Sequence, residues 1–405
     1  MNHPVMTPAR TANQRLNIEE FQAHATQLSS RPLALFVELT QNCNLRCASC
    51  RSATAFRPDW NMTDAIFDQI ADELFGTALL VDLRGWGEST IVKGFPRAAD
   101  RVLDSGARLR LVTNGQVNLP RVWDRMMATG SALVLSCDAA SPELFSTLRT
   151  GGTLERLTTT ATEAVALRER HGAHEDLLSL YVVVSRPNLG ELAGIIELAA
   201  RLAVRQVTFG PIQIGLDHPW NLRHDLDGVR QALDRATERA VQLDVHLQLA
   251  SSMDVALTLD DGLTSPCTHP WAYAYISHAG RVGFCDHLIG MEKYTFGSLK
   301  DTTFEQIWNS PGFQDLRERH ARQALGEQFS ACKWCYKQRY VDFEHLTHPT
   351  QSQHIVSTAT RTRLWAEAAD PTGCAAASFL GADQAETPDS RQLLPLTVTS
   401  PRLEP

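Results

Sequence analysis

Long apolar runs are missing from this sequence: nowhere do about 18 apolar residues follow one another, and the opening MNHPVMTPARTANQRLNIEE has no apolar stretch of its own. A membrane span and a secretory signal are therefore both unsupported, and the cytoplasm is the expected compartment. Dense Lys/Arg runs with interleaved aromatics are also missing, and the formal net charge is -8. Nucleic acid is thus not an expected partner, because sequence-independent binding needs a basic surface to neutralise phosphates. What the 405 residues do hold is nine cysteines, seven of them in two groups. In a cytosolic chain, clustered cysteines serve as metal ligands or redox groups more often than as disulfides.

The length suits one large core or two smaller ones, including a barrel of about 250 residues with an added domain. From residue 33 to about 250, short β-type runs alternate with helical patterns. The runs are LALFVELT (33–40), ALLVDLRG (78–85), RLRLVTNG (108–115), ALVLSCD (132–138), LSLYVVVSR (178–186) and RQVTFGPI (205–212), with helices expected near 62–75, 94–104 and 191–203. Strands joined by helical crossovers run in one direction and form a parallel sheet, and near-continuous apolar strands mean that both faces are covered. A barrel or partial barrel with helices outside satisfies this, and so does a doubly wound open sheet; periodicity does not separate the two.

After about residue 260 the rhythm stops. SPCTHPWAYAYISHAGRVGFCDH, FGSLKDTTFEQIWNSPGFQDLRERH and CKWC are short segments with glycines and paired cysteines. So loop-rich a stretch has difficulty burying a core of its own, and a small metal-stapled domain is expected. The last fifty or so residues, rich in Ala, Thr, Ser and Pro, read as one helix (IVSTATRTRLWAEAA) followed by a disordered tail. The expected division is an N-terminal extension (1–30), a barrel (31–262), an auxiliary metal domain (263–348) and a helix with tail (349–405).

Directly after the first apolar run stands CNLRCASC, with Cys43, Cys47 and Cys50 spaced by four and three. A structural zinc site draws four ligands, usually as two close pairs, whereas a trio on one loop leaves a coordination position open. Three thiolates on a four-iron, four-sulfur cluster leave one iron free to bind a small molecule through an amine and a carboxylate. The position agrees, since functional loops of parallel α/β folds lie at the C-terminal ends of strands.

The Cys43-x3-Cys47-x2-Cys50 motif after a first strand resembles the signature of the radical S-adenosylmethionine superfamily, which implies a partial (β/α)6 TIM-type barrel. RGWGEST (84–90) resembles the glycine-rich turn that contacts the methionyl amine, with Gly85, Gly87 and Glu88 matching. VTNG (112–115), containing Asn114, resembles the end of strand 3, and VSRPN (184–188), containing Arg186, the end of strand 5. SCD (136–138) with Arg149 resembles the strand 4 serine, Ser136, and the arginine that hold the methionyl carboxylate. The residue before the third cysteine, commonly aromatic in that superfamily, is Ser49, so adenine contacts must come from elsewhere. Read without the resemblance, Gly85 and Gly87 also suit an ordinary tight turn, and Arg149 an exposed helix position. Asp138 suits either a substrate-facing base or a helix N-cap. Cys137 reads as a packed thiol, and Arg186, Trp220 and His287 as pocket candidates with equally ordinary alternatives.

Cys267, Cys285, Cys332 and Cys335 form a second, closed set, suited to structural zinc or a fully ligated cluster. Together with Pro270-Trp271, GRVGFC, FGSL and IWNSPGF, they resemble the SPASM/twitch auxiliary-cluster domain, in its shorter form with one auxiliary [4Fe-4S] cluster. The resemblance implies an oxidoreductase fed by a flavodoxin- or ferredoxin-type donor: S-adenosylmethionine is cleaved to a 5'-deoxyadenosyl radical that abstracts a substrate hydrogen atom. By analogy, the expected outcome is two-electron dehydrogenation of a small-molecule alcohol, such as an aminocyclitol or sugar in antibiotic biosynthesis, with Asp138 and Arg186 as the catalytic candidates. The alternatives are modification or epimerisation of a peptide and, from another class, a non-catalytic iron-sulfur or zinc protein.

Overall fold

The computed structural model describes residues 4–50, 55–212, 214, 217–249, 267–288, 291–329 and 332. Cys335, Cys374, the expected boundary at 262/263 and the helix expected over 355–369 lie outside the described residues. Six strands, β1 (Ala34–Val37), β2 (Leu80–Asp82), β3 (Arg108–Thr113), β4 (Ala132–Ser136), β5 (Leu178–Val184) and β6 (Gln206–Pro211), fall inside the six apolar runs. Between them lie α2 (Asp64–Leu74), α3 (Phe95–Ser105), α4 (Pro120–Ala128), α5 (Pro142–Leu148), α6 (Leu154–Arg170) and α7 (Leu192–Arg201), preceded by α1 (Pro8–Gln22) and followed by α8 (Leu226–Gln242). Local chemistry marks the ends: Thr63 and Thr153 cap α2 and α6 through their hydroxyls, and Gly106, at φ 81°, ends α3 in a left-handed turn.

The sheet continues past the six expected strands through β7 (His246–Leu249), β8 (Tyr273–Ile276), β9 (Arg281–Gly283) and β10 (Thr295–Ser298), in the order β10-β9-β8-β1-β2-β3-β4-β5-β6-β7. From β8 across to β7 every pairing is parallel; only β9 is reversed, antiparallel to both β8 and β10. A doubly wound sheet reverses its strand order at a switch point, and β1 to β7 run without reversal. Right-handed crossovers in an unreversed order place their helices on one face, as in a barrel wall. Among the described residues no pairing joins β7 to β10, so the wall is open.

Alternation along the strands divides the core. Leu35, Val37, Val81, Leu109, Leu111 and Leu133 belong to the large core shared with the helices, whereas Ala34, Phe36, Leu80, Tyr273 and Tyr275 pack together on the inner face. Further round, the inner positions are polar and still buried: Asp82, Arg108, Ser179, Gln206, Thr208 and Gln248. The inner face of the open barrel is therefore chemically equipped rather than filled with hydrocarbon.

Two further features were not legible in the sequence. The N-terminal extension contains α1, whose Arg10 donates to the carbonyls of Val5, Phe75, Ala78 and Ser105 at 2.7–3.0 Å and so ties the N-terminal ends of the strands together. The cysteine-rich segment also packs an aromatic group that is continuous with the large core: Phe284 lies 6.0–6.3 Å from the rings of Tyr294, Phe296 and Phe329, and Phe296 lies 4.9 Å from Phe313. Aromatic side chains bury large areas with few residues, which is how a loop-rich segment anchors itself to the core of the barrel.

Candidate functional site

Because β1 to β5 are parallel, the loops after their C-terminal ends gather on one rim. The cysteine loop after β1 is pinned there from three sides. Asn42 donates to the Arg57 carbonyl and accepts from the Arg57 N–H, both at 2.8 Å. Arg46 N–H donates to the Thr150 carbonyl at 2.9 Å, and Asn114, after β3, donates to Asn44 Oδ1 at 2.8 Å. Within the loop, the Leu45 N–H donates to Cys43 Sγ at 3.3 Å and the Cys50 N–H to the Cys47 carbonyl at 3.0 Å. Burial raises the Cys43 thiol and pushes Cys47 up to about 11, each with a smaller contribution from the neighbouring cysteine thiolates. These thiols hold their protons until a metal displaces them.

The turn after β2 lies against this loop. Gly87 N–H donates to the Thr40 carbonyl at 3.2 Å and Glu88 N–H to the Asn42 carbonyl at 2.8 Å. A β-carbon at Gly87 would fall on the backbone of Gln41 and Asn42, and one at Gly85 on the side chain of Glu38. Here glycine is required for close approach, not for a positive φ. The Glu88 carboxylate accepts from the Thr90 and Thr113 hydroxyls at 2.7 Å each and from the Asn114 N–H at 2.7 Å. Glu88 thereby fixes the loops after β2 and β3 relative to one another.

Glu38, which sequence reasoning passed over, is fully buried and accepts from Trp86 N–H (3.0 Å), Tyr275 O–H (3.2 Å), Gln41 Nε2 (3.3 Å) and the His278 N–H (3.4 Å), with His278 Nδ1 at 3.2 Å. A carboxylate in an apolar strand run was the available signal, since such a group is kept only when many donors hold it.

After β4, Ser136 is partly exposed on the rim, and Cys137 is wholly buried, its thiol pushed up to about 12 chiefly by desolvation, in keeping with a packed group. Asp138 does not cap α5: Ser141 stands at that cap, held by Glu191. Instead, Asp138 pairs with Arg149 at 2.8 Å and accepts the Val183 N–H at 2.8 Å. Both side chains are buried, and both charges act on Cys47, which brings the loops after β1 and β4 together. No local pattern announces this pair, because the partners meet only when α5 folds back.

Arg186 stands exposed beyond β5, donating to the Pro219 carbonyl at 2.8 Å, while its N–H donates to the Trp220 carbonyl at 3.2 Å. His287 lies in the short turn Asp286–Leu288. In the second set Cys285 is buried, and Cys267 and Cys332 are partly exposed. Arg84 joins this segment to the barrel by pairing with Asp286 (3.1 Å) and Asp82 (2.9 Å).

The residues fit the cofactors expected from the sequence. Three thiols lie on one loop, a glycine turn leaves backbone rather than side chain beside them, and Arg149 Nε is buried with no hydrogen-bond partner among the described residues. A guanidinium with a spare donor beside the thiols suits a bidentate grip on a carboxylate.

Comparison with known proteins gives four findings. The family model described as SPASM, an iron-sulfur cluster-binding domain, matches residues 267–336. The mycofactocin maturase MftC of Mycobacterium ulcerans is 29% identical over 315 residues, 75% of this chain and 82% of that protein. The PqqA peptide cyclase of a Methylobacterium species is 25% identical over 301 residues, 71% and 75% of the two chains. Among solved structures, Streptococcus suis SuiB bound to S-adenosylmethionine superposes with a TM-score of 0.57 at 16% identity, covering 76% of this chain and 72% of that one. At that identity the likeness is one of fold.

Proposed function

Since the chain belongs to the radical S-adenosylmethionine superfamily and to its SPASM subfamily, we propose that it is an enzyme that modifies a peptide by removing a hydrogen atom from one of its residues. The observation that carries this reading is the pair of relatives named as a maturase and a peptide cyclase, each matched over more than two thirds of its length. They favour a peptide over the small alcohol expected from the auxiliary cysteines.

Cys43, Cys47 and Cys50 would hold the first cluster and leave one iron open. When bound there, S-adenosylmethionine supplies a 5'-deoxyadenosyl radical, and the hard chemistry belongs to that group. The protein supplies placement. Gly85 and Gly87 let backbone approach the methionyl amine, and Glu88 and Asn114 keep that turn against the cysteine loop. Arg149, steadied by Asp138, would hold the methionyl carboxylate. Ser136 stands at the end of the neighbouring strand for the same carboxylate. Cys267, Cys285 and Cys332, with Cys335, would hold an auxiliary cluster able to accept a second electron, making the net change a two-electron oxidation. Asp138, which shares its carboxylate between Arg149 and the Val183 N–H, is the candidate for the accompanying proton. Arg186, on the exposed rim, is better placed to meet the substrate than to do chemistry on it.

The test is anaerobic turnover of the reconstituted, reduced protein with S-adenosylmethionine, reading 5'-deoxyadenosine with and without candidate precursor peptides. A peptide that raises turnover and itself loses two hydrogens supports the proposal. Stimulation by an aminocyclitol or sugar, with peptides inert, would return the reading to small-molecule dehydrogenation.

A further inference from the structure

More is gathered around the auxiliary cysteines than a cluster needs. His269, Cys285 and Asp286 present an imidazole nitrogen, a sulfur and a carboxylate oxygen that all lie within 4.8 Å of one another. His269 is fully buried and Cys285 nearly so. The two oxygens of Asp286 are divided between tasks: Oδ2 accepts from Arg84 Nη2 at 3.1 Å, and Oδ1 lies 3.9 Å from Cys285 Sγ. Tyr273 stacks on the His269 ring, with centroids 4.4 Å apart and planes 16° apart. Its side chain is fully buried, its hydroxyl has no hydrogen-bond partner among the described residues, and the charges of Asp286 and Cys285 both act on it.

A nitrogen, a sulfur and an oxygen at that separation suit a single ion. Around a tetrahedral metal with bonds of about 2.0–2.3 Å, ligand atoms stand about 3.5 Å apart, so the set needs to close by only about 1 Å. In a four-iron cluster each iron takes one protein ligand, so His269 and Cys285 cannot share an iron. Thiolate and carboxylate together neutralise a divalent charge, and Arg84 keeps Asp286 turned toward Cys285. Three protein ligands leave a fourth position for water, and the Tyr273 hydroxyl is the unspent group that would hold it.

We propose that His269, Cys285 and Asp286 bind one divalent transition-metal ion of the zinc or ferrous class, and that this ion competes with the auxiliary cluster for the Cys285 thiolate. Zinc loading would then exclude the auxiliary cluster and leave the Cys43/Cys47/Cys50 site untouched. This holds whatever the enzyme's substrate is.

The experiment uses the full-length chain, stripped of metal under anaerobic conditions, in a Cys43→Ala, Cys47→Ala, Cys50→Ala background that removes the barrel thiols. Cobalt(II) is the probe, because its absorption reports thiolate ligation by a charge-transfer band and tetrahedral geometry by strong visible bands. The expected result is saturable binding of one cobalt with the charge-transfer intensity of one thiolate. Binding should be weakened at least tenfold by His269→Ala and by Asp286→Asn, and retained in Cys267→Ser. Zinc added beforehand should prevent iron uptake at the auxiliary site. Binding that is lost in Cys267→Ser yet indifferent to His269→Ala would mean a four-thiolate site and would overturn the proposal, as would the absence of saturable binding. Should thermal unfolding show that His269→Ala has lost its fold, the isosteric Asp286→Asn variant decides.

Discussion

At the scale of single residues, the site depends on backbone proximity that one atom can destroy. Gly87 has an ordinary φ, so its role is invisible to arguments from turn conformation; what matters is that the backbone at Gln41–Asn42 occupies the place of a β-carbon. Gly87→Ala is therefore expected to push the turn off the cysteine loop. The fold should survive, since only the turn and the cysteine loop have to move apart, but 5'-deoxyadenosine formation should fall by at least about 100-fold, the scale of a misplacement of about 1 Å. Circular dichroism beside the turnover assay checks both halves; near wild-type turnover would mean that the turn does not position the cofactor. Glu38 and Glu88 belong to the same scale, each a buried carboxylate kept by several donors rather than by an opposite charge alone.

At the scale of elements, α1 was legible only as a stretch without an apolar run, and the structure shows why it is ordered. Its contribution is concentrated in Arg10, one guanidinium that satisfies four carbonyls around α3 and the entry to β2. Removing it takes this donor from the buried carbonyls of Phe75 and Ala78, and charged hydrogen bonds of this type contribute about 1.5–3 kcal/mol each before compensation by water. Arg10→Ala is expected to destabilise the protein by about 3 kcal/mol or more, read as a lower denaturant midpoint at unchanged slope. Arg10→Lys should recover only a part, since an ammonium cannot span the same fork of acceptors. A midpoint unchanged in Arg10→Ala would mean that α1 is held by other contacts.

At the scale of the whole molecule, the auxiliary segment and the barrel form one sheet, because β8 lies parallel beside β1 with Phe36 opposite Tyr275. Stability of the aromatic core of the auxiliary segment should therefore reach the barrel rim. His320 tests this through pH. It is buried against Phe284 with Nε2 unbonded among the described residues, and desolvation lowers its pKa from 6.5 to about 4. Between those values the unfolded chain binds the proton and the folded chain does not. Stability should thus be complete above pH 6.5 and fall as pH drops toward 4, by a few kcal/mol at most. His320→Leu should flatten that part of the thermal midpoint against pH; an unchanged slope in the variant would assign the loss to other groups.

The sequence alone determined the α/β class, the six strands, the cysteine loop and the glycine turn, because each is written in local periodicity or in residues close along the chain. By the resemblance of its motifs to a known superfamily, it also implied the cofactors. It left barrel and doubly wound sheet undivided, since strand order is a long-range property that no local pattern encodes; the unreversed sheet decided that. Tertiary structure alone placed Arg149 on Asp138 and beside Cys47, gathered five donors round Glu38, and brought His269 to Cys285 and Asp286. Those partners are separated by up to about 240 positions, and burial selects which of many polar residues may leave water only once the backbone has set who can pair with whom.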